Sequence, residues 1–256
     1  LSMGRIVSVA NQKGGVGKTT TALNLSATLA AAEKKTLLVD LDPQGNSTSG
    51  LGIDKNALPA TVYEVLLGTK RLKEVTQKTA LVHLDLVPAN TKLFGAEVEL
   101  VDIQNRERIL RDSLEEVKGT YEYILVDCPP SLTLLTINAL AAADSILIPI
   151  QCEYYAMEGL GQLLHTIQLT RDKLNPRLEI EGILFTMFDG RNNLSHQVAE
   201  EVKKHFPNKV FQTVIPRNVK LSESPSHGKP VILYDIGCKG SESYLDLAKE
   251  FLCSYS

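Results

Sequence analysis

The chain has 256 residues, is 43% hydrophobic and 22% charged, and carries a formal net charge of −3. That is the make-up of an ordinary globular protein, long enough to bury roughly 70–75% of its unfolded surface without disulfide staples. No apolar run approaches the ~18 residues of a membrane-spanning helix, and with this net charge any contact with nucleic acid must come from a local patch. The start of the chain has no basic segment followed by a long apolar one, so no signal peptide is expected. Leu1-Ser2 ahead of Met3 reads as a tag remnant. Cys128, Cys152, Cys238 and Cys253 form no C-x-x-C pair. This argues against a zinc or iron–sulfur site and for free thiols in a reducing cytosol.

Taken in chain order, the pattern is short β-branched runs alternating with helical stretches. Arg5 to Ala10 reads as a buried strand, followed by a glycine loop and a helix from about Thr19 to Ala32. Thr36 to Asp40 is a second strand ending in acids, and Leu84 to Pro88 a third, with helical sequence from Arg106 to Val117. Tyr123 to Asp127, Ser145 to Ile150 and Glu179 to Phe185 complete six strands. Near-continuous apolar strands separated by helices predict a doubly wound α/β fold with a mostly parallel sheet covered on both faces. No stretch has the composition of an interdomain linker, so residues 1–256 read as one domain. In such a sheet ligands bind at the carboxyl ends of the strands.

The first strand runs into Gln12-Lys13-Gly14-Gly15-Val16-Gly17-Lys18-Thr19-Thr20. Glycines let backbone N–H groups turn inward around a phosphate chain without Cβ collisions, and the helix that follows adds its partially positive N-terminus. Lys18 is placed to reach the β- and γ-phosphates, and the Thr19 hydroxyl to ligate Mg²⁺. The loop departs from the common G-x-x-x-x-G-K-S/T form: Gln12 stands where the first glycine would be, and a second lysine, Lys13, precedes Gly14.

Three acids follow at strand ends. Period-two spacing puts Asp40 and Asp42 on one side of the chain, where both could face the phosphates. An isolated D-x-D is equally a surface turn, but its place after a phosphate-loop helix favours the site. Asp127 closes Ile124-Leu125-Val126-Asp127, the Walker B arrangement in which a carboxylate holds Mg²⁺, usually through water. No strong general base is evident, so slow ATP hydrolysis by positioning and charge is expected.

The K-G-G-x-G-K-T-T loop resembles the deviant Walker A motif of the ParA/MinD group, and the whole chain from Met3 onward is similar to the ParA/Soj branch. Gln151 to Gly159 looks like that branch's dimer face, and Ile215 to Glu223 like its adenine-side loop, with His227-Gly228-Lys229-Pro230 after it. The resemblance implies a Mg-ATP (or ADP) site from Lys13 to Thr20, with Asp40 near the metal shell and Thr19, Asp42 and Asp127 around the metal. Asp42 would position the attacking water. Lys13 would reach across to a partner subunit's nucleotide in an ATP-dependent homodimer. Pro216 and Asn218 would contact the base, although a plain Pro-Asn turn explains those residues locally as well. Arg191 and Lys220 would bind DNA phosphates without reading sequence. A lone surface arginine is otherwise a solvated charge. Between Thr186 and Lys229, seven Lys/Arg face four Asp/Glu, a mild local excess of +3 that permits such a face.

The resemblance further implies a ParB/Spo0J-like stimulatory protein, a bacterial cytoplasmic, nucleoid-associated setting and no membrane partner. It also suggests the short chromosomal kind, since no helix-turn-helix segment precedes the first strand. A MinD-like membrane ATPase would need a basic amphipathic C-terminal helix. The stretch Glu242 to Phe251 instead carries Glu242, Asp246 and Glu250 against Lys249. A cluster carrier would need paired cysteines, and a metabolic kinase or ligase an acceptor pocket that the sequence does not display.

Overall fold

A computed structural model describes residues 4–253; the tag remnant read at Leu1-Ser2 lies outside the described residues. Among the described residues seven strands form one sheet: β1 (Arg5–Val9), β2 (Thr36–Asp40), β3 (Gln77–Lys78), β4 (Leu84–Val87), β5 (Tyr123–Asp127), β6 (Ser145–Gln151) and β7 (Glu179–Thr186). Their order is β3-β4-β2-β5-β1-β6-β7, and every pairing is parallel except that of β3 with β4. The six expected strands are present. Strand β4 stops one residue early, because Pro88 has no N–H to give a ladder; its carbonyl accepts from Val62 N instead. The antiparallel β3 is too short to leave a periodic signal.

Alternate residues of each strand feed two separate cores, as the pleat requires. Leu37 and Val39 of β2 and Ile124 and Val126 of β5 pack on one face, while Leu38 and Leu125 pack on the other. On the second face lie helix α1 (Lys18–Ala31), through Ala22, Leu25 and Leu29, and the helix Lys239–Cys253, through Tyr244, Leu247 and Phe251. The helices Ile109–Glu115, Leu134–Ala142 and Ala156–Lys173 cover the first.

The helical stretch expected from Arg106 to Val117 is a 3-10 turn, Arg106–Arg108, running into the helix Ile109–Glu115. The buried Asn138 side chain sits at the junction. It donates to Arg106 O at 2.8 Å and accepts from Leu110 N at 3.2 Å, supplying the partners that a continuous helix would otherwise provide. The apolar face of Lys239–Cys253 is already occupied: Tyr244 is fully buried with its hydroxyl 3.2 Å from Thr21 Oγ1, and Phe251 packs edge-on to Tyr123. Among the described residues no helix is long and apolar enough to cross a membrane.

Candidate functional site

Sheet register assembles the centre of the site. Val9, Asp40 and Asp127 lie at one level, because β1 pairs with β5 at Val9–Asp127 and β2 pairs with β5 at Asp40–Asp127. The loop after β1 therefore emerges beside two carboxylates on neighbouring strands, about 4.8 Å apart in the pairing direction.

Side chains hold the loop from behind. Asn11 Nδ2 donates to Pro149 O at 2.8 Å, and its Oδ1 accepts from Lys13 N at 3.0 Å. The buried Thr186 hydroxyl, at the end of β7, lies 2.8 Å from Val16 O and 3.1 Å from Ile150 O. Gly15 and Gly17 take φ of 74° and 81°, the left-handed region that admits glycine without strain. Gly17 caps α1 with no side chain, and no acid occupies the first turn. The helix thus opens with uncapped N–H groups and an unneutralised positive end.

These groups face a cavity of about 500 Å³. Gly14, Gly15, Gly17, Lys18, Thr19 and Thr20 line its phosphate-sized end, Asp42 its flank, and Pro216 and Asn218 its far side. Lys18 is buried, and Nζ donates to Lys13 O at 2.8 Å. Burial holds its ammonium below the usual lysine range, against the opposing pull of Asp127, Cys128 and Asp42. Val16 is buried beneath the loop.

The three acids differ. Asp40 stands one layer back: Oδ2 accepts from Thr48 N at 2.8 Å and Thr48 Oγ1 at 2.7 Å, and Oδ1 from Asp42 N at 3.2 Å. Its carboxylate anchors the short helix α2 (Asn46–Gly50) rather than lining the cavity. Asp42 lines the cavity, with Oδ1 accepting from Gln44 N at 2.8 Å. Asp127 is fully buried; Oδ2 accepts from Ser47 Oγ at 2.7 Å, and Oδ1 has no hydrogen-bond partner among the described residues. Burial, and then the Asp40 charge, raises its carboxyl far above the ordinary range, while Ser47 and Thr19 pull the other way. An orphaned buried carboxylate oxygen beside the Thr19 hydroxyl, with Asp42 on the cavity wall, is a donor set that fits a hydrated divalent cation.

On the far side, Phe188 N donates to Ile215 O at 3.0 Å, fixing the loop that carries Pro216 to the continuation of β7. Asn218 Oδ1 accepts from Lys220 N at 2.9 Å and caps the helix Val219–Glu223. Its Oδ1 is thus taken up by the cap, and both Pro216 and Asn218 line the cavity wall opposite the glycine loop.

Three singled-out cations lie outside the cavity, each paired with an acid of this chain. Lys13 Nζ bonds Glu153. Arg191, 92% exposed, forms a fork onto Asp189 with both N–O distances at 3.0 Å, which holds the Asp189 carboxyl down at about 2. Lys220 pairs with Glu223 at 3.0 Å and lies 5.5 Å from the Tyr234 ring centroid. Sequence reading missed Ser47, Thr48 and Thr186, and placed Glu153 in the Gln151 to Gly159 segment without giving it a partner. The first two follow the D-x-D turn directly and Thr186 ends a strand over the site, so position alone could have marked them.

A glycine loop opening a helix beside a strand-end carboxylate, on a parallel sheet, defines a P-loop nucleoside-triphosphatase. Residues 4–180 match the family described as an AAA domain. The chain is 60% identical over 251 residues to the chromosome partitioning protein ParA of Myxococcus xanthus, covering 98% of this chain and 89% of that protein. It is 58% identical to the sporulation initiation inhibitor protein Soj of Bacillus subtilis, covering 97% and 98%. Among solved structures, cobyrinic acid a,c-diamide synthase from Mycobacterium smegmatis with bound ADP and magnesium superposes with TM-score 0.87 at 38% identity, covering 99% and 96%. The cell division ATPase MinD of Pyrococcus furiosus does so with TM-score 0.82 at 26%, covering 98% and 100%. One fold thus carries differently named proteins and does not choose among them; the high identity to the partitioning proteins does. The chain belongs to the ParA/Soj family of chromosome-partitioning ATPases.

Proposed function

We propose that the chain binds Mg-ATP at the glycine loop, closes on a second copy through Lys13, and holds DNA non-specifically in that state. It lets go when a ParB-like partner stimulates hydrolysis. The observation that carries this reading is the division of labour between the two lysines. Lys18 is buried at the phosphate end, whereas Lys13 lends that lysine only its carbonyl and keeps its ammonium out of its own cavity. A cation supplied by the neighbouring subunit at the γ-phosphate acts as an arginine finger does, and ties nucleotide occupancy to pairing.

Within one subunit, the loop amides and the α1 N-terminus orient the phosphates, Lys18 neutralises them, and Asp42 orients the attacking water. Thr19 and, through water, Asp127 and Asp42 would hold Mg²⁺, which when bound neutralises charge on the phosphate oxygens. Among the described residues no three His, Cys, Asp or Glu side chains form a metal cage by themselves; bound with the nucleotide, the ion would take its remaining ligands from phosphate oxygens and water. Pro216 and Asn218 take the base.

Arg191 and Lys220 supply the DNA contacts. Two cations per subunit hold weakly, and pairing doubles them. Retention on DNA is measured with a non-hydrolysable ATP analogue and magnesium across a salt series, with liposomes alongside. The parent is expected on DNA and not on lipid. Arg191→Ala is expected to pair normally but to bind DNA with a log–log salt slope lower by about 2, because each subunit of the dimer then neutralises one phosphate fewer. Equal retention of variant and parent removes the DNA assignment, and lipid retention in place of DNA supports a MinD-like membrane role.

Gly14→Val tests the closeness of pairing. A Cβ there would meet only Pro130 Cβ, at an ordinary contact distance of 3.9 Å, so the subunit's own backbone leaves room for the first side-chain carbon. We expect a folded, nucleotide-binding variant that elutes as one subunit with the analogue on a sizing column. A normal dimer peak would mean that the loop does not sit against its copy.

A further inference from the structure

Outside the cavity, one contact joins the glycine loop to the rest of its own subunit through a charge. Lys13 Nζ bonds Glu153 Oε2, and beside it Gln12 Nε2 bonds Gln162 Oε1 of the helix Ala156–Lys173. Both members of the ion pair stay partly open to solvent, with side chains 38% and 45% exposed. Glu153 is held in a tight turn in which its N–H donates to Gln151 O at 2.8 Å and its carbonyl accepts from Ala156 N at 2.9 Å. The next two residues, Tyr154 and Tyr155, are 76% and 65% exposed and pack edge to face at 5.1 Å. Exposed paired aromatics are what the buried centre of a protein interface is made of. The ion pair therefore borders a surface built to be covered.

From this we infer that Glu153 is a latch: it holds the Lys13 ammonium on its own subunit and sets how much nucleotide is needed before two copies close. The inference rests on the pairing role of Lys13 proposed above. An ammonium bound to Glu153 has to leave that carboxylate to serve a phosphate in the other subunit, so the two commitments compete. The contact is strong enough to bias the loop and weak enough to open, because an exposed ion pair shifts an equilibrium by roughly two- to five-fold. Two latches open per dimer, so removing both multiplies to roughly 4- to 25-fold. Opening also frees Glu153 at the edge of the aromatic pair, where charge is disfavoured at an interface centre.

The experiment is sedimentation equilibrium of the full chain with a non-hydrolysable ATP analogue and magnesium, for the parent, Glu153→Gln and Glu153→Ala. ADP affinity of each is measured in parallel. Both variants are expected to lower the dimer dissociation constant by roughly 4- to 25-fold, with ADP affinity within two-fold of the parent. Two chemically different neutral side chains acting alike identify the removed charge as the cause. A dimer no tighter than the parent's in both variants overturns the latch and leaves the pairing proposal standing. So does tightening in one variant only, or an equal shift in ADP affinity. A parent that sediments as a single subunit at every concentration instead fails the pairing proposal, and the latch with it.

Discussion

Replacing Asp42 by alanine is expected to lower ATP turnover roughly 100- to 1,000-fold while ATP affinity stays within a few-fold of the parent. Asp42 is the one of the three acids whose side chain lines the cavity. It also borders a second cavity of about 300 Å³ walled by Pro43, Leu93 and Pro130, so it stands between the phosphate site and a neighbouring apolar hollow. One of its oxygens is held by Gln44 N at 2.8 Å; a carboxylate so oriented has its other oxygen to direct a water. The turn does not depend on the side chain alone, since Gly45 N also donates to the Asp42 carbonyl at 2.8 Å. Truncation should therefore leave the loop in place and remove the group that places the nucleophile together with one water-mediated Mg²⁺ contact, with Thr19 and Asp127 left to hold the ion. Phosphate release and equilibrium ATP binding are measured on the same preparation, with a sizing column to follow pairing. The variant should accumulate as a dimer with ATP itself, because the state that hydrolysis ends now persists. Turnover within ten-fold of the parent would remove Asp42 from the hydrolytic step, and a variant monomeric in saturating ATP would contradict the switch.

The parts of the site legible in the sequence are those whose chemistry is local. The glycine loop announces itself because left-handed backbone at Gly15 and Gly17 and a lysine at a helix start are needed within a few residues of one another. Six of the seven strands are legible because each is largely buried and reads as a mostly apolar run; the two-residue polar β3 is not. Their order is not: β1 lies between β5 and β6, more than a hundred residues away, and a fully buried strand carries no mark of its neighbours. Asp40 illustrates the limit of spacing. Period two groups it with Asp42 as facing the phosphates, yet only Asp42 lines the cavity, and the partner that claims the Asp40 carboxylate is Thr48, on the following short helix. Arg191 shows the opposite case. Its fork onto Asp189, two residues earlier, is readable in the sequence as an acid-glycine-arginine turn, and a cation considered without its neighbours hides it.

Asp127→Asn is expected to make the nucleotide- and metal-free chain more stable at pH 8, by roughly 2–5 kcal/mol, while abolishing stabilisation by Mg-ATP. Asp127 and Asp40 face each other in register at the end of β5 and β2, both fully buried. Burial, then the Asp40 charge, pushes Asp127 up to about 8, and burial pushes Asp40 up to about 6 despite its bonds to Thr48 and Asp42. A carboxyl whose folded pKa lies above its unfolded value near 3.8 binds its proton more tightly when folded. Its favourable contribution is complete below the unfolded value and is lost as pH rises toward the folded one. The empty parent should therefore lose stability steadily between about pH 4 and pH 8, and the asparagine variant should lose much less. Ser47 can still donate to the amide oxygen, so the hydrogen bond on Oδ2 survives the change. Thermal midpoints in the presence of a chelator should differ by about 4–15 °C at pH 8 and converge at pH 4. Adding magnesium and the ATP analogue should reverse the order, because a cation satisfies the orphaned oxygen in the parent and an amide offers it nothing. A variant less stable than the parent at pH 8 without ligand would show that the carboxylate is already compensated inside the empty protein. The site would then have no standing charge deficit for a metal to fill.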